Sequence, residues 1–192
     1  MTAAPWNVES ALGLVTEENL GLASAVVIDP DGTLGRALDL LDSAPRIFVH
    51  GAGRSGLALR MVAMRLMHLG RCVHVVGETT TPAIEAGDLL LTASGSGTTP
   101  GVVRAAQTAT RVGAQVLSLS TTADSPLAAL STAVVELPAA HKTDRSAAAS
   151  AQYAGTLFEQ GVLLLGDALF HLLWQRSGRT ADDLWPRHAN LE

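Results

Sequence analysis

The sequence predicts an α/β fold, namely a three-layer αβα sandwich around a five-stranded parallel sheet with helices added at the N-terminus. Three observations lead to this prediction. Short apolar runs alternate with helical patterns from residue 46 onward, which is the rhythm of a parallel sheet covered by helices. The apolar runs show no polar alternation, as is typical of strands buried on both faces. With 192 residues, of which 47% are hydrophobic, the chain suits one domain with a full core.

The N-terminal segment, residues 1–43, predicts two helices with loosely helical apolar spacing. Asp29-Pro-Asp-Gly32 separates them with a strong turn signal. No chemistry is evident in this pair, which we expect to pack on the domain or on a partner subunit. We expect residues 46–137 to form the sheet core and residues 155–192 to form a C-terminal helix and tail, all within one domain spanning 1–192.

The strands and helices of the core follow one another in regular order. Glycines after two of the apolar patterns, Gly70 and Gly113, predict helix ends. The predicted strands are 47–50, 72–76, 89–93, 115–120 and 133–137, and the predicted helices are 57–69, 101–112, 127–130 and 156–174. Residues 141–150 predict a mobile segment of mixed polarity. Ligands of such sheets bind at the carboxyl ends of the strands, so we expect the site there.

Composition excludes several function classes. The net charge is −5 with no basic run, which argues against binding to nucleic acid or a membrane surface. The single cysteine, Cys72, fits a reducing cytoplasm and is expected to be buried in a strand. No signal peptide is evident, and the apolar stretches look too short or too interrupted to span a bilayer. The mean hydropathy of +0.26 predicts apolar surface buried between subunits.

The stretch from Ser94 to Pro100 predicts an anion site. Hydroxyls at Ser94, Ser96, Thr98 and Thr99 are interleaved with two glycines, Gly95 and Gly97, before a helix that starts near Pro100. The glycines let the backbone approach a ligand, and the helix N-terminus supplies N–H groups and a positive dipole end. Without a lysine, this cradle suits one phosphomonoester better than a nucleoside triphosphate. The alternative is a plain strand-to-helix turn with hydroxyl caps.

A second glycine turn, Gly51-x-Gly53-x-x-Gly56, matches the dinucleotide-binding fingerprint. This fingerprint also needs an acidic residue about twenty positions further on, at the end of the second strand. Glu78 follows that strand, but a little later in the sequence than the ideal position. The other interpretation is a sugar-phosphate turn with Arg54 and Ser55 as donors. We favour this interpretation because a dinucleotide site has no use for a second hydroxyl-rich cradle.

Two further groups are candidates for acid–base chemistry. Glu159 lies early in an apolar helix, where it is either a helix-start charge or a catalytic base in a partly dry site. His188 is in the tail and by itself would be a surface residue, whereas His68 on an apolar helix face predicts a packing residue. The six histidines show no metal-ligand spacing, so no metal site is predicted.

Several separate motifs together resemble a known family. They resemble the sugar isomerase (SIS) domain and, within it, the 6-phospho-3-hexuloisomerases. The resemblance covers residues 46–192, and its motifs are Gly51-Ala-Gly-Arg-Ser-Gly56, Met64-Arg-Leu-Met-His-Leu-Gly70, Val76-Gly-Glu78, Ser94-Gly-Ser-Gly97, Gly155-Thr-Leu-Phe-Glu159 and His188-Ala-Asn-Leu-Glu192. The fold implied is the SIS-type sandwich, which is flavodoxin- or Rossmann-like.

The resemblance implies an isomerase of the ribulose monophosphate route for formaldehyde fixation, which interconverts a 3-hexulose 6-phosphate and fructose 6-phosphate. It also implies a homotetramer, a dimer of dimers with active sites shared between subunits. Carried over, Glu159 is the proton-transferring base and His188 a candidate acid from this or a neighbouring subunit. The implied substrate-binding residues are Gly53, Arg54, Ser55, Ser94, Gly95, Ser96, Gly97, Thr98 and Thr99. The reaction runs through a cis-enediol and requires neither a metal nor a redox cofactor.

Two positions depart from the family pattern. Thr98 stands where the family usually has Glu, which removes a charge near the cradle and predicts a different substrate preference. Ala154 stands where the family usually has Pro, so the approach to Glu159 is expected to differ in shape. The remaining alternatives are a regulatory protein that binds a sugar phosphate without catalysis, an isomerase of another phosphosugar, and a dinucleotide-binding protein.

Overall fold

A computed structural model describes residues 6–29, 31–140, 144 and 150–191. Within them five strands form one parallel sheet in the order β2-β1-β3-β4-β5. The elements in chain order are α1 (Val8–Val26), α2 (Thr33–Ser43), β1 (Ile47–Gly51), α3 (Gly53–His68), β2 (Val73–Val75), β3 (Leu89–Ala93), α4 (Pro100–Arg111), β4 (Gln115–Ser120), β5 (Ala133–Glu136), α5 (Thr156–Ser177) and α6 (Ala181–Leu184). The predicted α/β sandwich is confirmed.

The two faces of the sheet bury different helices. Val49 and Leu91 point into a large apolar core shared with α2, α3 and α5. Phe48 and Leu90, their neighbours along the strands, point into a smaller core under α4. Alternate residues of one strand are thus buried on opposite faces, which explains why the strands read as unbroken apolar runs. The polypeptide chain therefore forms three layers, with α1 added outside α5.

The first glycine turn has a packing explanation. A side chain on Gly56 would overlap the carbonyl oxygen of Gly51, so α3 can begin directly against the end of β1 only because both positions are glycine. This close approach accounts for the glycine spacing without a dinucleotide. Glu78, which the dinucleotide interpretation would place on a ribose, pairs instead with Arg60 at 2.5 Å.

Two expectations about single residues are wrong or incomplete. Cys72 is exposed rather than buried, because β2 is an edge strand that begins only at Val73; its Sγ lies 3.5 Å from His74 Nε2. His68 is a buried packing residue as expected, but its Nδ1 has no hydrogen-bond partner in the described part of the chain. Burial, together with the nearby charges of His188 and Arg65, holds the pKa of His68 below its ordinary value.

The expectation about membrane spans also needs correction. By length and composition α5 could cross a bilayer, with 22 residues and a mean hydropathy of 1.3 over its most apolar window. The core helix of a soluble protein passes the same test. Since α5 packs along α3 and α1 and contributes Val162 and Leu173 to the core, it has this second explanation. The predicted mobile segment 141–150 lies mostly outside the described residues.

Candidate active site

The candidate site is a cleft at the carboxyl edge of the sheet, between the segments that follow β1 and β3. These strands are neighbours, with Gly51 beside Ala93, and the chain leaves them toward opposite edges of the sheet. Open parallel sheets bind ligands at such a switch point. The cleft has a volume of about 210 Å³ and is lined by Ala52, Gly53, Arg54, Ser55, Ala93, Ser94, Gly95, Ser96, Thr99, Ala140, Ala154, Gly155, Phe158 and Glu159.

The hydroxyl cradle after β3 is ordered by its own side chains. Ser94 Oγ lies 2.9 Å from Thr99 Oγ1 and Ser96 Oγ lies 2.9 Å from Thr98 Oγ1. The Ser96 Oγ also accepts a hydrogen bond from the Thr98 N–H. These pairs hold the hydroxyls at the mouth of α4, where they can donate to an anion that enters the cleft.

The backbone of the cradle is fastened to the next strand. Gly95 O accepts hydrogen bonds from Thr121 N–H at 3.1 Å and Thr121 Oγ1 at 2.7 Å. Ser94 N–H donates to Leu119 O, and Leu127 N–H donates to Gly97 O. The loop is therefore held before a ligand arrives, which limits the ordering entropy that binding costs.

Three helices start at this cleft, and none has a side-chain cap. The residues that directly precede α3, α4 and α5 are Ala52, Thr99 and Gly155. None of the three accepts a hydrogen bond from a backbone N–H of its helix through its side chain. By contrast, α1 and α6 carry full capping boxes. Uncapped N-termini leave N–H groups and positive dipole ends available to an anion. The cleft thus favours a negatively charged group.

The single acidic side chain of the cleft lining pairs with its single basic one. Arg54 Nε donates to Glu159 Oε2, joining the start of α3 to the first turn of α5. The Glu159 side chain is 15% exposed and that of Arg54 is 65% exposed. The carboxylate therefore faces the cleft from a mostly buried position, while the guanidinium is open to a ligand.

Most predicted site residues meet in this cleft. Gly53, Arg54, Ser55, Ser94, Gly95, Ser96, Thr99 and Glu159 all line it. Gly97 and Thr98 do not: Thr98 is exposed, and its Oγ1 contacts the Oγ of Ser96, which does line the cleft. Gly97 has a φ of +62°, and a side chain there would overlap Ser125. Gly97 is thus required for loop packing, whatever the ligand.

His188 lies elsewhere in the chain. Its ring stacks on His68 at the C-terminal end of α3, with 4.0 Å between ring centroids, and its Nδ1 is 3.1 Å from Trp185 O. Arg54 and Glu159 lie at the other end of α3, about 20 Å away along the helix axis. The fold of the single chain does not bring His188 together with Glu159.

Part of the cleft wall was not predicted. Ala140, Ala154, Gly155 and Phe158 also line the cleft, and the Phe158 ring lies beside Gly95 of the cradle. Phe158 could have been inferred from its neighbour Glu159, but Ala140 carries no sequence signal. Ala154 has a φ of +35°, in the left-handed region that side chains disfavour. Proline cannot adopt this angle, so the Ala154 backbone differs from what a proline at this position would impose.

One titratable group lies close to the cleft without lining it. His50, the last residue but one of β1, lies close to Gly101 at the start of α4. Burial holds its pKa below the ordinary value, opposed by a hydrogen bond with the Gly101 backbone. The ring is therefore neutral at pH 7. No group of three metal-ligating side chains occurs anywhere in the described ranges.

Comparison with known proteins assigns the chain to one family. The SIS domain model matches residues 40–163, which includes β1 through the first two turns of α5 and therefore every residue of the cleft. The chain belongs to the SIS domain family. The resemblance inferred from the motifs is confirmed.

Several relatives of this SIS protein are named 3-hexulose-6-phosphate isomerase. It is 53% identical to the 3-hexulose-6-phosphate isomerase of Mycobacterium gastri over 97% of this chain and 92% of the relative. It is 36% identical to the Bacillus subtilis protein of the same name, covering 80% and 84% of the two chains. A crystal structure from Methanococcus jannaschii, for which the function of 3-hexulose-6-phosphate isomerase was inferred, has a TM-score of 0.82 and 30% identity, with coverage of 95% and 99%.

The arrangement in this SIS domain separates two tasks. Hydroxyls and helix N-termini on the sheet side can hold an anionic group. On the α5 side, Glu159 can accept and return a proton, and Arg54 can donate to an oxygen. A site with an anchor at one end and a base at the other fits a phosphorylated substrate whose reacting carbons lie away from the phosphate.

Proposed function

We propose that this protein is a sugar-phosphate isomerase that interconverts a 3-hexulose 6-phosphate and fructose 6-phosphate. The observation that carries the proposal is Glu159 facing the hydroxyl cradle across one cleft. The names of the M. gastri and B. subtilis relatives support the same reaction. The product, fructose 6-phosphate, and the ribulose monophosphate route follow from that reaction.

The proposed chemistry needs one base that serves two adjacent carbons. Glu159 removes the proton from C2 of the 3-hexulose, the electrons of that bond form the C2=C3 double bond of an enediol, and the C3 oxygen gains a proton. The C2 hydroxyl then loses its proton, and the protonated Glu159 returns a proton to C3, which leaves the ketone at C2. One carboxylate can perform both transfers if it lies over the carbon pair.

The other residues have positioning roles in this proposal. Ser55, Ser94, Ser96 and Thr99 hold the phosphate with the N-termini of α3 and α4, and Gly53 and Gly95 supply backbone. Arg54 contacts a sugar hydroxyl or the enediolate oxygen while it orients Glu159. Gly97 and Thr98 do not line the cleft, and their role is to maintain the shape of the cradle. Anchoring by the phosphate supplies binding energy that the transition state can use.

Deuterium exchange tests this function directly. Fructose 6-phosphate is incubated with the protein in D₂O without added metal, and the label is located by NMR. We expect deuterium at C3, together with formation of the 3-hexulose 6-phosphate. Label at C1 instead would indicate an aldose–ketose isomerase of another phosphosugar. Binding without any exchange would indicate a regulatory SIS protein and would refute the proposed activity.

The proposal includes a cytoplasmic homotetramer in which one domain, formed by the whole chain, shares its site with a neighbour. An exposed apolar stripe on α3, formed by Leu57, Met61 and Met64, begins one turn from Arg54. A partner that covers this stripe would approach the cleft, and its His188 could act as the acid on the sugar oxygens. We expect light scattering after gel filtration to give four times the mass of 19.9 kDa. A monomeric mass would contradict the shared site.

A further inference from the structure

The N-terminal helix holds the segment that leads into the base-bearing helix. Glu18, on the half-buried side of α1, accepts three hydrogen bonds from residues 150–152. Its Oε2 accepts from Ser150 Oγ at 2.6 Å and from Gln152 Nε2 at 3.0 Å, and its Oε1 accepts from Ala151 N–H at 2.7 Å. Both carboxylate oxygens are therefore used, and all three donors belong to one short stretch.

A second set of bonds ties the same stretch to α5. The side-chain amides of Gln152 and Gln160 donate to each other at 3.2 Å and 3.1 Å. Asn19, the neighbour of Glu18, donates to Gln160 Oε1 at 2.7 Å. Gln160 directly follows Glu159 in the first turns of α5. The network therefore spans α1, the incoming segment and the start of the helix that carries the proposed base.

The segment that these hydrogen bonds hold leads directly into the part of the cleft wall where Ala154 has a left-handed backbone. Ala154 and Gly155 come two and three residues after Gln152 and line the cleft, and the φ of Ala154 is +35°. A backbone in this region persists only where the surroundings hold it there. The bonds to Glu18 lie on one side of Ala154, and the Thr156 N–H and Oγ1, which both donate to Tyr153 O, lie on the other.

We propose that Glu18 is a positioning residue that fixes the cleft wall at Ala154-Gly155 and, through it, the reach of Glu159 to the reacting carbons. This inference rests on the proposed function for the role of Glu159. It assigns a task to α1, which has no side chain in the cleft. Glu18 itself does not touch substrate: its carboxylate is committed to Ser150, Ala151 and Gln152.

The chemistry of the network favours a carboxylate at this position. All three groups that face Glu18 are donors, so a side chain with two acceptor oxygens and no donor satisfies them. Burial raises the pKa of Glu18, but the hydrogen bonds from Ser150, Gln152 and Ala151 outweigh it and leave the pKa below the ordinary value. The carboxylate is therefore ionised at neutral pH. A glutamine would keep only one acceptor oxygen, so its NH₂ group would face at least one of the donors that the second carboxylate oxygen now satisfies.

Glu18→Ala and Glu18→Gln test the proposal in the full-length protein. Turnover of fructose 6-phosphate, inhibition by inorganic phosphate and backbone amide exchange of residues 150–156 are compared with the wild-type protein. We expect kcat to fall about tenfold or more, because small misplacements of catalytic groups cost up to about a hundredfold. We expect phosphate inhibition to change less than twofold, because the cradle is fastened to β4, and amide exchange in the segment to become faster.

Glu17→Ala is the matched control. Glu17 is the exposed neighbour on the same helix, so its removal changes the net charge equally without touching the segment. Glu18 variants are expected to remain folded, because Leu22 on the next turn of α1 stays buried against Gly161. The double variant Glu18→Ala/Gln152→Ala should lower kcat no more than the more damaging of the two single variants, if the two residues act as one unit.

The outcomes separate the inference from the proposed function. Faster exchange of residues 150–156 with a reduced kcat and unchanged phosphate inhibition supports the positioning role. The positioning role is overturned if kcat of the Glu18 variants is unchanged, whatever their amide exchange. It is also overturned if amide exchange of residues 150–156 is unchanged. If the wild-type protein itself turned over no fructose 6-phosphate, the proposed function would fail, and the exchange data would still decide whether Glu18 fixes the wall.

Discussion

Glu159→Gln is expected to lower kcat for hexulose phosphate isomerisation by about a thousandfold, within the range of about 10²–10⁴ that a positioned acid–base group contributes. The amide keeps the size of the side chain and can still accept a hydrogen bond from Arg54, so the cleft keeps its shape. It cannot take a proton from carbon. Deuterium exchange into fructose 6-phosphate measures the loss, and inhibition by inorganic phosphate should stay within about twofold of wild type, because the cradle is untouched.

The matched control for this variant is Glu78→Gln. Glu78 also pairs with an arginine of α3, Arg60, at 2.5 Å, but on the open surface. Exposed pairs contribute little, so turnover should be unchanged. Glu159→Gln with wild-type turnover would exclude this carboxylate as the base and turn attention to His188 from a neighbouring subunit.

Ser94→Ala is expected to raise KM for fructose 6-phosphate by about tenfold to a hundredfold with a smaller change in kcat. A hydrogen bond to a charged group contributes about 1.5–3 kcal/mol, and about 1.4 kcal/mol corresponds to a factor of ten. Ser94 is 4% exposed, so no water readily replaces its hydroxyl. Its loss also releases Thr99, whose Oγ1 it contacts. Steady-state kinetics and phosphate inhibition, which should weaken in parallel, measure the effect.

Thr98→Ala serves as the control from the same loop. Thr98 is a hydroxyl residue as well, but it is exposed and outside the cleft lining. Its removal frees Ser96 Oγ, which does line the cleft, so KM should rise, but by less than threefold. If Thr98→Ala impaired binding as strongly as Ser94→Ala, the phosphate would contact Thr98 directly and the proposed cradle would be misplaced.

The strands that the sequence predicted best are those buried on both faces. The predicted bounds of β3 and β4 agree with the structure, because Asp88 and Ser94 bracket one apolar run and Gly113 precedes the other. The edge strand β2 is shorter than predicted. A strand at the edge of the sheet has a neighbouring strand on one side only, so an apolar residue such as Cys72 can remain exposed there, and the apolar pattern overestimates the length of the strand. Local patterns therefore predict central strands well and edge strands less well.

The site was predictable where it follows single strands and not where it depends on tertiary contacts. The cradle and the first glycine turn follow β3 and β1 directly. The partnership of Arg54 with Glu159 joins residues 105 positions apart, and the stack of His188 on His68 depends on how the tail folds back. Glu18 carried no signal at all, because an acidic residue on an amphipathic helix is ordinarily solvated.

The three uncapped helices carry a consequence for the empty protein. The N-termini of α3 and α4 lack a capping side chain, which typically contributes about 1 kcal/mol, whereas the glycine before α5 costs only a few tenths of a kcal/mol. All three positive ends lie at the same cleft, so an anion that enters interacts favourably with each of them. Phosphate-containing ligands should thus bind and stabilise the folded state. The melting temperature should therefore rise when inorganic phosphate is added, and rise less with chloride at the same concentration. The protein is most robust in a cell when its own substrate is abundant.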